Sequence, residues 1–305
     1  MDTLIRIATD VIAPIFLIIG ISVLVDRILK PDSRGLSRLV VYLFTPFLVA
    51  EGVANSNIEG EETVQLFAIV LLMSLFVSLA AWGVARLLKY DRKLTSAFIL
   101  TVALINSGNF GIPVCELAFG DAGASRGLLF FVATMLTTYT LGVYLASAGT
   151  TSSVESFKRV FMNPMPYALI IGFILNLTGH PISGMEPAFR KPVEWLSDAA
   201  IPGMMVVLGV QLSNARLKGR IQPILVASGM RLLVSPLITA VLTALLGISG
   251  VLEQVSITQA AMPTAVIAGV LAAEFDGEAD FVIGTILVST LLSFITLAII
   301  LTLVI

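Results

Sequence analysis

The sequence predicts an all-α integral membrane protein. It has ten transmembrane helices in a five-plus-five inverted repeat, with the fourth and ninth broken and crossing. Three observations predict this. The 305 residues are 57% hydrophobic and only 12% charged, against about 25% charged in a soluble domain. Apolar runs of about 20 residues, bounded by charges or turn residues, recur along the whole chain. Two of these runs are interrupted in their middles, by Asn106-Ser107-Gly108-Asn109-Phe110-Gly111-Ile112-Pro113 and by Thr258-Gln259-Ala260-Ala261-Met262-Pro263-Thr264.

Taken in order, the spans cover Leu4–Leu29, Leu36–Ala54, Val64–Leu88, Thr95–Phe119, Gly127–Ala148, Met162–Thr178, Pro192–Leu212, Pro223–Leu246, Val255–Phe275 and Phe281–Ile305. The connecting loops are short and leave no room for a soluble domain. The first span lacks the short apolar core and small-residue cleavage site of a signal peptide, so no cleavable leader is expected. The single cysteine, Cys115, rules out an intramolecular disulfide and a thiolate metal cluster. No cofactor, no metal and no nucleic-acid partner is expected; the expected surroundings are a lipid bilayer.

Basic residues alternate from loop to loop. Loop 1–2 carries Arg27, Lys30, Arg34 and Arg38, and loop 3–4 carries Arg86, Lys89, Arg92 and Lys93. Loop 5–6 carries Lys158 and Arg159, and loop 7–8 carries Arg216, Lys218 and Arg220. The intervening loops are poorer: loop 2–3 has Glu59, Glu61 and Glu62 with no basic residue, loop 4–5 has Arg126, loop 6–7 has Arg190 and Lys191, and loop 8–9 has no basic residue. The positive-inside rule then places both termini outside the cell. Loop 9–10 would be cytoplasmic although it holds Glu274, Asp276, Glu278 and Asp280, because acidic residues weigh little in orientation.

The chain divides near residue 155, giving a first repeat over 1–155 and a second over 156–305. Pro202 follows Pro46 by 156 residues, and Pro263 follows Pro113 by 150. Five spans per half is an odd number, so the halves enter the membrane from opposite sides. Matched broken segments in inverted halves point to a transporter's substrate site.

The chemistry of those breaks follows from proline, which lacks an N–H and clashes with the carbonyl four residues back. Pro113 is expected to free carbonyls near Asn109, and Pro263 to free that of Gln259. Gly108 and Gly111 weaken the first helix and let another backbone approach. Half-helix N-termini are partially positive and suit an anion; C-termini and freed carbonyls suit a cation. Asn106, Ser107, Asn109, Thr258, Gln259 and Thr264 add donors and acceptors that are costly at membrane depth unless partnered.

The run Asn106-Ser-Gly-Asn-Phe-Gly111-Ile-Pro113 resembles the fourth-span motif of the auxin efflux carrier family, the bacterial relatives of plant PIN proteins. Met262-Pro263, followed by Ala273-Glu274-Phe275, resembles its second crossover. The resemblance covers essentially the whole chain. It implies a homodimer of two-domain protomers: spans 1, 2, 6 and 7 as scaffold, and spans 3–5 and 8–10 as a transport domain moving elevator-fashion. It also implies a fold like the sodium/bile-acid symporters and a small organic anion as substrate, auxin-like or malate- and malonate-like. Asn106, Gly111, Pro113 and Pro263 are the matching positions. The chain departs from plant members in its short loop 5–6 (Gly149–Arg159) and in the absence of ionisable residues inside span 3, so the plant substrate does not carry over.

Ionisable residues inside spans are functional candidates by default. Arg231 lies about nine residues into span 8, roughly 13 Å deep, and is a candidate countercharge for a carboxylate. An internal ion pair or snorkelling is its plainer explanation. Glu51, Glu116 and Asp198 are candidate ion-coupling carboxylates or simply rim-solvated acids, and Thr258 is a candidate oxygen ligand. His180, the only histidine, falls in an outer loop as a turn residue. No serine–histidine dyad or pair of deep aspartates is present, so an intramembrane enzyme is not expected. The expected function is a secondary or facilitative carrier of a small organic anion, coupled to protons, sodium or neither. A sodium-coupled symporter of the bile-acid type is the alternative, with Thr258, Gln259 and freed carbonyls as sodium ligands.

Overall fold

The computed structural model describes residues 2–56, 60–138, 164–217, 220–274 and 278–305. Among the described residues it is helical throughout, apart from turns and one isolated β-bridge. In chain order the helices are α1 (Leu4–Leu29), α2 (Gly35–Ala54), α3 (Gly60–Leu87), α4 (Arg92–Ala103), α5 (Ile112–Thr137), α6 (Met165–Leu177), α7 (Pro187–Asn214), α8 (Ile221–Leu245), α9 (Val251–Ala260), α10 (Val266–Glu274) and α11 (Ala279–Val304). Six of these, α1, α2, α3, α7, α8 and α11, are long and apolar enough to cross a membrane. The helices α4, α9 and α10 are shorter because each ends at one of the two breaks. The later part of span 5, the loop Gly149–Arg159 with Lys158 and Arg159, and Glu59, Lys218, Phe275 and Asp276 lie outside the described residues.

The structure corrects one boundary. Loop 4–5, read from sequence as residues 120–126, is shorter than expected: α5 is two helical stretches that meet at a kink at Gly120, and residues 121–126 belong to the second. The chain turns at Gly120, whose φ of 63° and ψ of −155° suit only a residue without a Cβ. Arg126 therefore projects from a helix, and its guanidinium pairs with Glu62 at 2.5 Å, tying α5 to the start of α3.

Prolines shape the helices without ending them. Pro14, Pro46, Pro113 and Pro236 each follow a five- or six-residue π turn, at Ile7–Ile12, Val40–Phe44, Ser107–Gly111 and Met230–Val234. The wider turn moves the backbone away from the proline ring and replaces the missing bond with one from the preceding residue. Thr45 N–H donates to the Val40 carbonyl, and the Thr45 hydroxyl donates to it as well at 2.7 Å.

The packing is inside-out relative to a soluble bundle. Along α11, Leu291, Ile295, Ile299 and Leu303 are exposed, while Thr285, Ser289, Thr290 and Ser293 are fully buried. Small hydroxyl residues let helices approach closely, and they satisfy themselves on their own helix. Thr285 donates to Phe281 O at 2.9 Å and Thr290 to Ile286 O at 2.7 Å. The outward apolar face is what a bilayer accommodates and water does not. Two sets of helices pack most extensively: α1 along α7 and α2 along α6, and α3, α4, α5, α8, α9, α10 and α11 among themselves.

Candidate functional site

The two broken segments meet. Ile105 and Thr264 form an antiparallel bridge. Asn106 N–H donates to Pro263 O, and Ala265 N–H donates to Leu104 O, both at 2.9 Å. Each break thus satisfies backbone groups that the other exposes, which is the condition for non-helical backbone at membrane depth. The arrangement is reciprocal, one donor and one acceptor from each segment.

Behind the bridge the remaining polar groups are largely accounted for. Thr264 Oγ1 donates to Thr101 O at 2.9 Å, and Thr264 N–H donates to Ser289 Oγ at 3.2 Å. The Gln259 carbonyl is not left free by Pro263, contrary to the expectation from sequence: Met262 N–H, one residue before the proline, turns back to it at 3.1 Å. Gln259 is fully buried, and its Nε2 reaches Gly127 O at 3.4 Å. Its carboxamide lies so close to Gly111 that a Cβ there would collide with it. Gly111 is thus required for contact between α9 and the start of α5, and Pro113 is buried beside it in the first turn of α5. Thr258 is fully buried, and its hydroxyl has no partner among the described residues.

In front of the bridge lies a cavity of about 520 Å³, within the usual range for a small-molecule site. Asn106, Ser107 and Asn109 line it. Ser107 Oγ pairs with Thr134 Oγ1 at 2.6 Å. Asn106 Nδ2, in a residue only 5% exposed, is a buried donor with no partner among the described residues. The turn Ser107–Gly111 that opens α5, and the start of α10 at Val266, both face the cavity. Their first N–H groups carry the positive end of each helix dipole. The walls are Val41, Tyr42, Phe131, Met135, Met165 and Ile267. Gln211 also lines the cavity and carries an unpartnered Oε1.

Arg38 is the one cationic residue lining the cavity among the described residues. From sequence it counted only as one of several loop charges. Its spacing of eight residues before Pro46 on α2 was the available signal, but that α2 faces the crossover is a tertiary fact. Arg231, by contrast, does not line the cavity and is fully buried. Gly111, Pro113, Gln259, Pro263 and Thr264 also lie behind the cavity wall. Glu51, Glu116 and Asp198 come together elsewhere. Ser197 and Asp198 lie near enough to interact with Glu51, and Asp198 also with Glu116. None of the three lines the cavity.

A family model described as membrane transport protein matches residues 7–301. The chain belongs to this family, which includes the auxin efflux carriers. A protein of Methanothermobacter thermautotrophicus named as an uncharacterized transporter is 30% identical over 269 residues, 88% of each chain. A second uncharacterized transporter, from Methanocaldococcus jannaschii, is 26% identical over 291 residues, 93% of this chain and 94% of that protein. Auxin efflux carrier component 4 of Arabidopsis thaliana is 25% identical over 186 residues, 58% of this chain but only 27% of the plant protein. The resemblance expected from the Asn106–Pro113 motif is therefore borne out. The protein is a multi-pass membrane transporter, and this family is one of transporters rather than enzymes.

Proposed function

We propose that this protein is a carrier for a small organic anion, bound in the cavity in front of the crossover and moved by alternating access. The observation that carries the reading is the convergence of donors on one apolar cavity. The unpartnered Asn106 amide, two helix N-termini and the Arg38 guanidinium all favour negative charge there. Among the described residues the cavity is lined by one cation and largely apolar walls, which suit an amphipathic monocarboxylate better than a dicarboxylate with its second negative charge. Gln211 Oε1 suits a donor elsewhere on the same molecule.

The larger reading is a ten-span, five-plus-five inverted repeat with crossing helices, working as an elevator. The reciprocal bridge between 105 and 264 supports the repeat. The extensive pairing of α1 with α7 and of α2 with α6 and α7 supports a scaffold, against which α5, α11 and the Ser107–Gly111 turn pack less extensively as part of a transport domain. The cavity lies between those two sets, as an elevator requires. The positive-inside rule puts Arg38, and hence the cavity mouth, on the cytoplasmic side of the plasma membrane. A homodimer completes the reading by family likeness.

The test is thermal stabilisation of purified protein by a panel of mono- and dicarboxylates. A ligand that binds only the folded state raises the apparent melting temperature. Aromatic and aliphatic monocarboxylates are expected to stabilise more than dicarboxylates. No shift from any carboxylate would remove the anion site. Arg38→Gln should weaken the best ligand about threefold to fivefold, because an exposed charge contributes at most about 1 kcal/mol. It should also flatten the dependence of affinity on salt. Unchanged affinity and salt dependence would take Arg38 out of the site.

A further inference from the structure

Arg231 is fully buried, yet its only described partners are neutral. Nη1 donates to Val102 O at 2.5 Å, and Nη2 donates to Ala260 O at 2.5 Å and to Ser235 Oγ. An unpaired guanidinium at membrane depth is costly, so its position needs an electrostatic cause. The two carbonyls supply one. Val102 lies in the last turn of α4, and Ala260 is the last residue of α9. These are the C-terminal ends of the two half-helices that stop at the crossover. Each such end carries roughly −0.5 of an elementary charge. Two of them facing one point approach a full negative charge, which one guanidinium offsets.

The nearby carbonyls show that little is left over. Thr101 O accepts from Thr264, Leu104 O from Ala265, and Gln259 O from Met262. Val102 O and Ala260 O are taken by Arg231. These are the oxygens that a soluble cation at a crossed-helix site would coordinate.

We propose that Arg231 is a tethered counter-cation, occupying through its side chain the place that a coupling metal cation would otherwise take between the half-helix C-termini. The crossover is then complete without sodium or potassium. Arg231 acts as a positioning residue: it holds α4 and α9 end to end, and so holds the opposite side of the bridge toward the cavity. This rests on the crossover geometry and not on the identity of the transported anion.

The experiment uses purified full-length protein and no substrate, so its failure leaves the anion reading untouched. Melting temperatures are measured in sodium, potassium and choline chloride at equal ionic strength. Wild type and Arg231→Lys, which keeps a cation in the same pocket, are expected to melt alike in all three. Arg231→Ala is expected to melt well below wild type and to be raised saturably by millimolar guanidinium chloride, which does not raise wild type. Urea at the same concentration should do nothing. If Arg231→Ala cannot be purified in ordinary buffer, its recovery as monodisperse protein only with guanidinium present is the equivalent result. Two outcomes would overturn the proposal. One is the absence of any guanidinium effect on Arg231→Ala, in melting or in recovery. The other is stabilisation of wild type by sodium over choline, which would point instead to a sodium site at the unpartnered Thr258 Oγ1 and Gln259 Oε1.

Discussion

Asn106→Ala is expected to weaken carboxylate stabilisation sharply and to impair transport while leaving a folded, membrane-inserted protein. The two halves of this result have separate causes. The backbone of residue 106 holds the crossover, through its N–H to Pro263 O and through its carbonyl, which accepts from Gly111 N–H at 3.0 Å. Alanine keeps both. Among the described residues the side-chain Nδ2 has no partner, so its removal strands nothing. Losing a hydrogen bond to a charged ligand costs about 1.5–3 kcal/mol, a drop in affinity of roughly tenfold to a hundredfold. The measurement is ligand-induced melting shift and uptake at matched expression. Normal uptake by the variant would falsify the placement of the substrate against Asn106.

Gly111→Val should have the opposite profile, with loss of stability as well as transport. Its side chain would enter the space of the Gln259 carboxamide, which is fully buried between α9 and α5 and cannot swing into solvent. Overpacking of this kind costs about 1–3 kcal/mol. Gln259→Ala clears that space, and the polar group it removes has an unpartnered Oε1 and one long bond to Gly127 O at 3.4 Å. The double variant should therefore melt above Gly111→Val alone, with a coupling of about 1 kcal/mol or more. Melting curves of the two single variants and the double complete the cycle. Additive losses would show that the cost at Gly111 does not come from the close approach of Gln259, since φ −70° and ψ −41° there suit any residue.

Much of this molecule was legible in the chain because a membrane imposes strong local constraints. Apolar length marks spans, and a bilayer tolerates a broken helix only where something satisfies it. Asn106-Ser107-Gly108-Asn109 and Ala261-Met262-Pro263 therefore identified both breaks, and the Asn106–Pro113 motif identified the family that the comparisons show. The break at Pro263 was placed well but its consequence was not. The sequence predicted a free Gln259 carbonyl, whereas Met262 folds back onto it, since a turn of three residues needs no donor at the proline itself. Likewise the span bounds left a loop over residues 120–126, whereas a single non-helical residue, Gly120, makes the turn.

The sequence by itself determined the class of protein, the two breaks and the candidate polar residues, because hydropathy and helix-breaking are properties of neighbours along the chain. Only the tertiary structure decided which of those residues face the cavity. It divided one motif in two, with Asn106, Ser107 and Asn109 in front and Gly111 and Pro113 behind. It also exchanged the two arginines. Arg231, deep in its span, turns to the carbonyl ends of α4 and α9, while Arg38, counted among loop charges, stands at the cavity. The physical reason is that a charge settles where the field of the assembled helices is favourable. That field comes from half-helix ends far apart in sequence, and it exists only once they have been brought together.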